Sequence, residues 1–288
     1  MKIAYLITLY KNPEQFKRLF RAIYDRDNVY LIHVDAKSAS SVHAEVRESV
    51  QNCKNARLMR SYNWVYGGFS AVEIQLDAIS QLLEEQFDFF INLSGQDFPL
   101  KTQGEIKESL QRVKDKNFIT VEDLFEECSV NKRGWLGKYW FEIKAPSWLL
   151  PARRRVIPLP INRKIPWKAY MGSTWFIFSH EFCRFLCHDR SVDEYRRFYR
   201  HSFIPEESFF QTLIMNSTFR DTVVNDAKRL IIWDPRRIHT FTTSDSKILA
   251  DSDAFFARKF NPSLDAQIIG QIEERLAARC GLTFDSAL

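Results

Sequence analysis

Apolar residues near the start of the chain fall into short continuous runs, separated by stretches in which they recur at helical spacing. The runs cover residues 3–8, 29–34 and 87–93. Because each run is apolar at nearly every position, it predicts a strand that is buried on both faces. Strands that alternate with helices imply a mostly parallel central sheet flanked by helices. The pattern therefore predicts an α/β fold.

The stretches between these strands carry helix signals. Asn12 and Pro13 predict a helix start, and the sequence from Ser70 to Glu73 predicts a capping box. The apolar stripes that follow are Phe16, Leu19, Phe20 and Ile23 for the first helix, and Val72, Leu76, Ile79 and Leu83 for the second. A last helix is predicted over residues 264–278, ended by Gly281.

The middle of the chain, residues 122–167, shows no clean periodicity and is rich in Trp, Pro, Arg and Lys. We expect it to be a long irregular excursion of a single domain of residues 1–288, since loops of this length are usually functional. Regular signals resume at residues 172–178, which predict a short strand leading into a helix.

Composition and charge limit the class of protein, its possible partners and its compartment. Apolar residues make up 45% and charged residues 27%, which indicates a globular protein. The net charge of +5 is compatible with nucleic acid, an anionic membrane surface or phosphorylated substrates. No apolar run can span a bilayer, the first residues do not fit a signal peptide, and five scattered cysteines favour reduced thiols. We expect a cytoplasmic protein, with peripheral contact at the inner membrane face left open.

Two predicted strands are followed by aspartates, Asp35 and Asp97. Both lie at the carboxyl ends of the strands, where parallel sheets bind ligands. Either one alone is as readily a turn residue. The sequence has no dinucleotide fingerprint, phosphate-binding loop, nucleophile elbow or zinc-protease motif, so sugar-nucleotide chemistry remains. Residues 94–97 offer one carboxylate where a metal clamp needs two, and no metal is expected. The Asp-x-Asp matches at residues 25–27 and 251–253 are interpreted as chance.

Without a metal, protein cations must neutralise a leaving diphosphate, and Arg258 and Lys259 stand between aromatic residues. The alternative interpretation of Arg258 and Lys259 is a basic turn on the surface without a binding role. Pro205 predicts a helix start with Glu206 and Glu207 in the first turn. Such glutamates either supply a catalytic base or interact with the helix dipole.

Six ordered motifs resemble one family. They are IHVD, WVYGG, FFINLSGQDFPLKT, GSTWFIFS, PEESFFQTLIMNS and FFARKF. The same order is found in core-2/I-branching N-acetylglucosaminyltransferases and peptide O-xylosyltransferases, and the likeness covers residues 1–275. The resemblance implies a GT-A type glycosyltransferase fold and an inverting, metal-independent transfer from a UDP-sugar. It leaves xylose and GlcNAc open as the donor sugar.

The resemblance also implies roles for individual residues. Glu207 would be the catalytic base, and Glu206 would be a first-turn helix residue. The nucleotide and donor would be bound by Asp35, Tyr66, Asp97, Arg229, Arg258 and Lys259, with Asp97 bordering the sugar and Arg258 and Lys259 meeting the diphosphate. The residues implied for the donor or acceptor pocket are Ser94, Gly95, Gln96, Ser173 and Trp175.

The animal members of the family carry a membrane anchor and a stem, whereas this sequence begins at the first predicted strand. We therefore expect a bacterial-type enzyme of surface or extracellular polysaccharide synthesis. Its acceptor would be a glycan, with a lipid-linked form left open, and nucleic acid is not an expected partner. The alternative is a catalytically inactive nucleotide-sugar or glycan-binding module. Donor hydrolysis without acceptor discriminates between the two.

Overall fold

The computed structural model describes residues 1–126, 130–143, 156–234 and 237–280. Its strands are β1 Ile3–Leu9, β2 Val29–Val34, β3 Ala56–Leu58, β4 Phe89–Ser94, β5 Asp97–Pro99, β6 Asn117–Ile119, β7 Glu122–Asp123, β8 Lys138–Glu142, β9 Val156–Asn162, β10 Tyr170–Met171, β11 Phe176–Ser179, β12 Val223–Val224, β13 Arg229–Ile231, β14 Trp233–Asp234, β15 Arg237–Ile238 and β16 Phe256–Arg258. Its α-helices are α1 Pro13–Ile23, α2 Ser40–Val50, α3 Ser70–Leu82, α4 Gln103–Gln111, α5 Val130–Gly137, α6 His180–His188, α7 Val192–Tyr199, α8 Phe209–Met215, α9 Ser246–Asp251 and α10 Gln267–Cys280.

Seven strands form the largest sheet, in the order β12-β6-β11-β4-β1-β2-β3. β1 pairs with β2 in parallel, β2 with β3 in parallel and β12 with β6 in parallel. β11 is antiparallel to β6. The prediction of an α/β fold with a mostly parallel central sheet flanked by helices is confirmed.

The chain divides into two compact units. The first consists of Met1–Met59, Ile91–Lys114 and Lys228–Leu288, and the second of Arg60–Phe90 and Asp115–Ala227. That the whole chain acts as one domain stays a prediction. In the described parts of the chain, none of the helices is both long enough and apolar enough to cross a membrane.

The first unit follows the sequence pattern closely. β1 and β2 lie where the apolar runs predict them, and the predicted stripe of α1 is buried. Pro13 is the first residue of α1, but Asn12 does not cap the helix with its side chain and instead adopts a left-handed conformation, with φ of 55°. A second, three-stranded sheet has the order β13-β16-β5. Sequence analysis did not predict β5, which starts immediately after the turn that ends β4.

The second unit contains α3, but the predicted capping box is wrong. Ser70 is already inside the helix, and its hydroxyl accepts a hydrogen bond from the backbone N–H of Val65 at 2.9 Å. Leu83 opens a 3₁₀ turn, and Leu82 occupies the buried position at the end of the stripe. The pattern placed the helix correctly because its apolar face decides its position more than its cap does.

The region 122–167 is more regular than predicted. Most of its described residues form β7, the helix α5 and the antiparallel ribbon of β8 and β9, in which Phe141 lies opposite Ile157. The periodicity is hidden because α5 is only two turns long and β9 contains Pro158 and Pro160, which cannot donate to a strand ladder. The prediction of an irregular excursion is wrong for these residues.

Two further boundaries differ from the prediction. Pro205–Glu207 form a single 3₁₀ turn, and α8 begins only at Phe209. The last helix starts at Gln267, because the Asp265 carboxylate accepts hydrogen bonds from the N–H groups of Gln267 at 2.8 Å and Ile268 at 3.1 Å. The predicted end at Gly281 lies outside the described residues.

Candidate functional site

The turn after β4 packs on the end of β1 in the first unit. Gly95 donates its backbone N–H to the Thr8 carbonyl at 2.8 Å. A Cβ at Gly95 would lie 3.0 Å from the Cβ of Leu9, so this close approach favours glycine. The Ser94 hydroxyl accepts from the N–H of Gln96 at 3.2 Å, which tightens the turn.

Asp97 is the first residue of β5, and its side chain is 0% exposed. Its Oδ2 accepts from the Ser94 N–H at 2.6 Å and lies 3.1 Å from Nη1 of Arg229. Its Oδ1 lies 3.7 Å from Nη1 of Arg258. The carboxylate therefore compensates two guanidinium groups inside the protein, which explains why an apolar strand is followed by a buried acid.

The small sheet brings these charged groups together. Asp97 lies opposite Arg258 in the β5–β16 register, and Arg229 lies opposite Phe256 in the β13–β16 register. The Arg229 side chain is 1% exposed, donates to the Asn92 carbonyl at 2.9 Å and lies 5.0 Å from the Phe256 ring centroid. Burial lowers the pKa of Arg229 to about 10, and Asp97 opposes this shift. Arg229 is thus a charged group held within the unit.

Lys259 follows Arg258 at the end of β16. The carbonyl of Lys259 accepts from the Phe241 N–H at 3.0 Å, and the carbonyl of Gln96 accepts from the Phe260 N–H at 2.9 Å. Burial also lowers the pKa of Arg258, again against the effect of Asp97. Backbone bonds and ion pairs thus join the turn of residues 94–97 to the cationic segment of residues 258–259.

Asp35 follows β2 in the same unit. Its N–H donates to the Leu9 carbonyl at 2.9 Å, so it lies at the edge where β1 ends. Its Oδ1 accepts from the Lys37 N–H at 2.8 Å, and its Oδ2 lies 3.6 Å from the Lys37 ammonium. Asp35 therefore closes a turn as well as lying at the carboxyl edge of the sheet.

Glu207 lies in the second unit, in the 3₁₀ turn before α8. Its side chain is half-buried, and its carbonyl accepts from the Gly172 N–H at 2.8 Å. Burial raises the pKa of its carboxyl, Lys132 opposes the shift and Glu122 adds to it. A carboxylate with a raised pKa suits proton transfer near neutral pH.

Glu206 differs from the first-turn helix residue that the sequence suggests. It belongs to the 3₁₀ turn, is 8% exposed, and its buried Oε2 has no hydrogen-bond partner among the described residues. Burial raises the pKa of Glu206 to about 8, its own backbone N–H opposes the shift, and Glu207 adds to it. Glu206 is therefore mainly protonated at neutral pH.

The remaining predicted residues of the second unit, Ser173, Trp175 and Tyr66, differ in their exposure to solvent. Ser173 donates its N–H to Oγ1 of Thr120 at 2.7 Å, and its carbonyl accepts from the Gln211 amide at 2.7 Å. Trp175 is buried. Tyr66 is 50% exposed and stands edge-to-face with Phe203, with ring centroids 6.2 Å apart.

One acid of each Asp-x-Asp match forms an ion pair with a lysine. Asp25 forms an ion pair with Lys107 at 2.7 Å, and Asp253 with Lys228 at 3.4 Å. Across residues 1–126, 130–143, 156–234 and 237–280, no group of three or more His, Cys, Asp or Glu side chains is arranged to hold a metal ion.

The structure thus gathers the predicted residues in two sets. In the first unit, the turn 94–97, Arg229, Arg258 and Lys259 are connected, with Asp35 at the same sheet edge. In the second unit, Glu207 is linked to the segment that contains Ser173, while Trp175 lies in the core. Sequence analysis missed Lys132 and Glu122, whose charges act on Glu207, since both fall in the region without periodicity.

Curated relatives match the chain over nearly its whole length. Xylosyltransferase 1 of Canis lupus familiaris is 28% identical over 95% of this chain and 30% of that protein. The xylosyltransferase of Ciona intestinalis is 29% identical over 96% of this chain and 34% of that protein. The chain thus spans about a third of the length of these relatives.

Among solved structures, S. aureus TarS is 10% identical, with a TM-score of 0.41, and the match covers 97% of this chain and 39% of that one. S. aureus TarS 1-349 in complex with UDP is 9% identical, with a TM-score of 0.37, over 96% of this chain and 66% of that one.

The decisive comparison is with a family model. The model of the Core-2/I-Branching enzyme matches residues 3–253 of the 288. The matched range contains the motifs from Asp35 to Arg229, including Glu207. The chain belongs to the Core-2/I-Branching enzyme family.

Proposed function

We propose that the chain is an inverting, metal-independent glycosyltransferase that moves a sugar from a UDP-sugar to a hydroxyl of a glycan acceptor. The observation that carries the proposal is the pair of Arg229 and Arg258 around the buried Asp97 in the first unit, with Lys259 next to Arg258 in the chain. Family membership and the xylosyltransferase relatives support the same reaction class.

The diphosphate role belongs to Arg258 and Lys259. A leaving diphosphate needs positive charge, and charge-assisted hydrogen bonds from such side chains supply it. Asp97 and Arg229 act indirectly in this proposal, because Asp97 lies between the two guanidinium groups and fixes Arg258. Asp97 Oδ2 accepts from the Ser94 amide at 2.6 Å, whereas Oδ1 has the Arg258 guanidinium 3.7 Å away and accepts no hydrogen bond among the described residues. Asp35 and Tyr66 are proposed to contact the nucleotide.

Glu207 is proposed as the general base. In an inverting transfer, the acceptor hydroxyl attacks the anomeric carbon as the bond to UDP breaks, and one base takes the hydroxyl proton. Burial of Glu207 raises its pKa toward the operating range, while Lys132 favours the ionised form. These two effects keep a carboxylate available that still binds a proton well.

The donor sugar is proposed to be xylose or GlcNAc, and the product a β-linked surface or extracellular polysaccharide. Calorimetry with a panel of UDP-sugars identifies the donor, and NMR anomeric couplings report the linkage. We expect binding of UDP-xylose or UDP-GlcNAc, a β product and turnover that survives excess EDTA. Donor binding without transfer or hydrolysis would instead indicate a binding module. Loss of turnover in EDTA, restored by manganese, would contradict metal independence.

The diphosphate assignment has its own test. Lys259→Ala should weaken UDP binding by about 1.5 to 3 kcal/mol, the scale of a hydrogen bond to a charged group. Lys54→Ala, which changes an exposed lysine of the same unit, is the matched control and should leave UDP affinity unchanged. Equal affinities for both variants would move the diphosphate elsewhere.

A further inference from the structure

Three hydroxyl groups lie together in the core of the second unit, behind the turn that carries Glu207. They belong to Tyr199, Ser208 and Thr212, all fully buried, and are called the hydroxyl cluster below. Tyr199 Oη lies 2.7 Å from Oγ1 of Thr212 and 2.8 Å from Oγ of Ser208. Because each hydroxyl has a partner inside the protein, the cluster is an internal connection between α7 and α8.

The hydroxyl cluster also holds β10. Ser208 and Thr212 donate to the Tyr170 carbonyl at 2.7 and 3.1 Å, and the Tyr170 N–H donates to Oγ1 of Thr212 at 3.0 Å. The carbonyl has two lone pairs, so it accepts both hydroxyl protons while Tyr199 donates to the cluster. The start of α8 is therefore fixed to residue 170 by side chains.

The turn with Glu207 depends on these contacts. Ser208 follows Glu207 directly, and two residues beyond Tyr170 the N–H of Gly172 donates to the Glu207 carbonyl at 2.8 Å. The turn's own backbone bonds are few, namely Glu207 N–H to Ile204 O at 3.2 Å and Ser208 N–H to Pro205 O at 3.1 Å. A single 3₁₀ turn has weak hydrogen-bond geometry, so its position is set largely by what it is tied to.

We propose that Tyr199 is a positioning residue for Glu207, acting through the hydroxyl cluster on the turn that carries this base. The proposal rests on the proposed function, in which Glu207 takes the acceptor proton. Tyr199 suits the role because its ring packs edge-to-face with Phe198 and Phe209, at 5.3 and 5.6 Å between centroids. Burial raises the pKa of Tyr199, so the hydroxyl stays a proton donor at all relevant pH values.

The test compares two tyrosines of the same helix. Tyr199→Phe removes only the hydroxyl that reaches Ser208 and Thr212. Tyr195→Phe is the control, because Tyr195 is also buried and stacks on Trp167 at 3.9 Å, but no hydrogen bond of its hydroxyl is seen among the described residues. A misplaced catalytic group costs up to about 100-fold in rate, so we expect Tyr199→Phe to lower turnover about 10-fold and Tyr195→Phe less than about twofold.

A double variant separates positioning from general damage. UDP affinity should stay unchanged in Tyr199→Phe, so the loss lies in turnover alone. In the Glu207→Gln background, adding Tyr199→Phe should lower the residual turnover by less than about twofold, because residues that act as one unit are not additive. Full turnover of Tyr199→Phe, or the same 10-fold loss in both backgrounds, would overturn the proposal.

Two variants of Thr212 test the hydroxyl cluster independently, in case Tyr199→Phe unfolds. Thr212→Val removes the hydroxyl at nearly constant volume, whereas Thr212→Ser keeps it. We expect low turnover for Thr212→Val and nearly full turnover for Thr212→Ser, and equal turnover of the two would count against the cluster. If Glu207→Gln itself keeps full turnover, the proposed function fails. That result differs from the one that overturns the positioning role, in which Tyr199→Phe lowers turnover by the same factor with and without Glu207→Gln.

Discussion

The buried charge cluster of the first unit gives a prediction about stability. Asp97→Asn keeps the shape of the side chain and an oxygen for the Ser94 N–H, but removes the negative charge between Arg229 and Arg258. These two side chains are 1% and 11% exposed, so water cannot replace the lost anion. Removing one partner of a buried ion pair typically costs about 3 to 5 kcal/mol, and we expect a loss of that size in the free energy of unfolding.

The matched control is Asp25→Asn in the same unit. Asp25 forms an ion pair with Lys107 at 2.7 Å, but the side chains are 26% and 17% exposed. Solvent screens such a pair, so we expect a loss of about 1 kcal/mol. Urea unfolding measures both variants, with the midpoint and the slope fitted together.

A rescue variant tests whether the loss of stability comes from a buried arginine without a compensating anion. Adding Arg229→Met to Asp97→Asn removes the buried cation that has lost its partner, and we expect it to recover at least about 1 kcal/mol. Equal losses for Asp97→Asn and Asp25→Asn, or no recovery with Arg229→Met, would refute the reasoning that Asp97 compensates buried arginines.

Two further predictions concern the second unit. The pKa of Glu206 is raised from 4.5 to about 8, so the folded state keeps a proton that the unfolded chain releases, and the stabilisation present below pH 4.5 is lost as the pH rises toward about 8. Glu206→Gln should remove this decline, and urea midpoints of both proteins at pH 5 and pH 8 check it; parallel curves would contradict the raised pKa. A Cβ at Gly172 would lie 1.9 Å from the Thr120 carbonyl oxygen, so Gly172→Ala should cost about 1 to 3 kcal/mol in thermal or urea unfolding. Gly134→Ala, in α5 with nothing within 4 Å, is the control and should not destabilise the protein, and equal losses would contradict the steric argument.

The elements predicted well are those whose burial decides their structure. β1, β2 and the stripe of α1 are apolar at nearly every buried position, and the structure has them where the pattern indicates. Local polar signals were less reliable. Ser70 resembles a helix cap, but the Val65 N–H uses its hydroxyl, and this contact depends on how the chain before the helix folds back.

Contacts that join distant residues could not be predicted from the sequence. Asp97 reads as a turn residue, yet its role follows from the register of β5 with β16 and from Arg229 on β13. Glu206 and Glu207 are neighbours in sequence, but one is buried and the other half-buried, because they point in different directions from a turn whose surroundings are set by distant segments. Neither distinction is encoded in local composition.

The most direct test of the central claim, that Glu207 is the base of a UDP-sugar transferase, is the turnover of Glu207→Gln beside that of Glu206→Gln. A general base contributes about 10²- to 10⁴-fold, so Glu207→Gln should lower turnover by that factor while UDP affinity stays nearly unchanged. Glutamine resembles the protonated acid that burial favours at Glu206, so Glu206→Gln should keep nearly full turnover. An active Glu207→Gln protein, or equal losses in the two variants, would contradict the account.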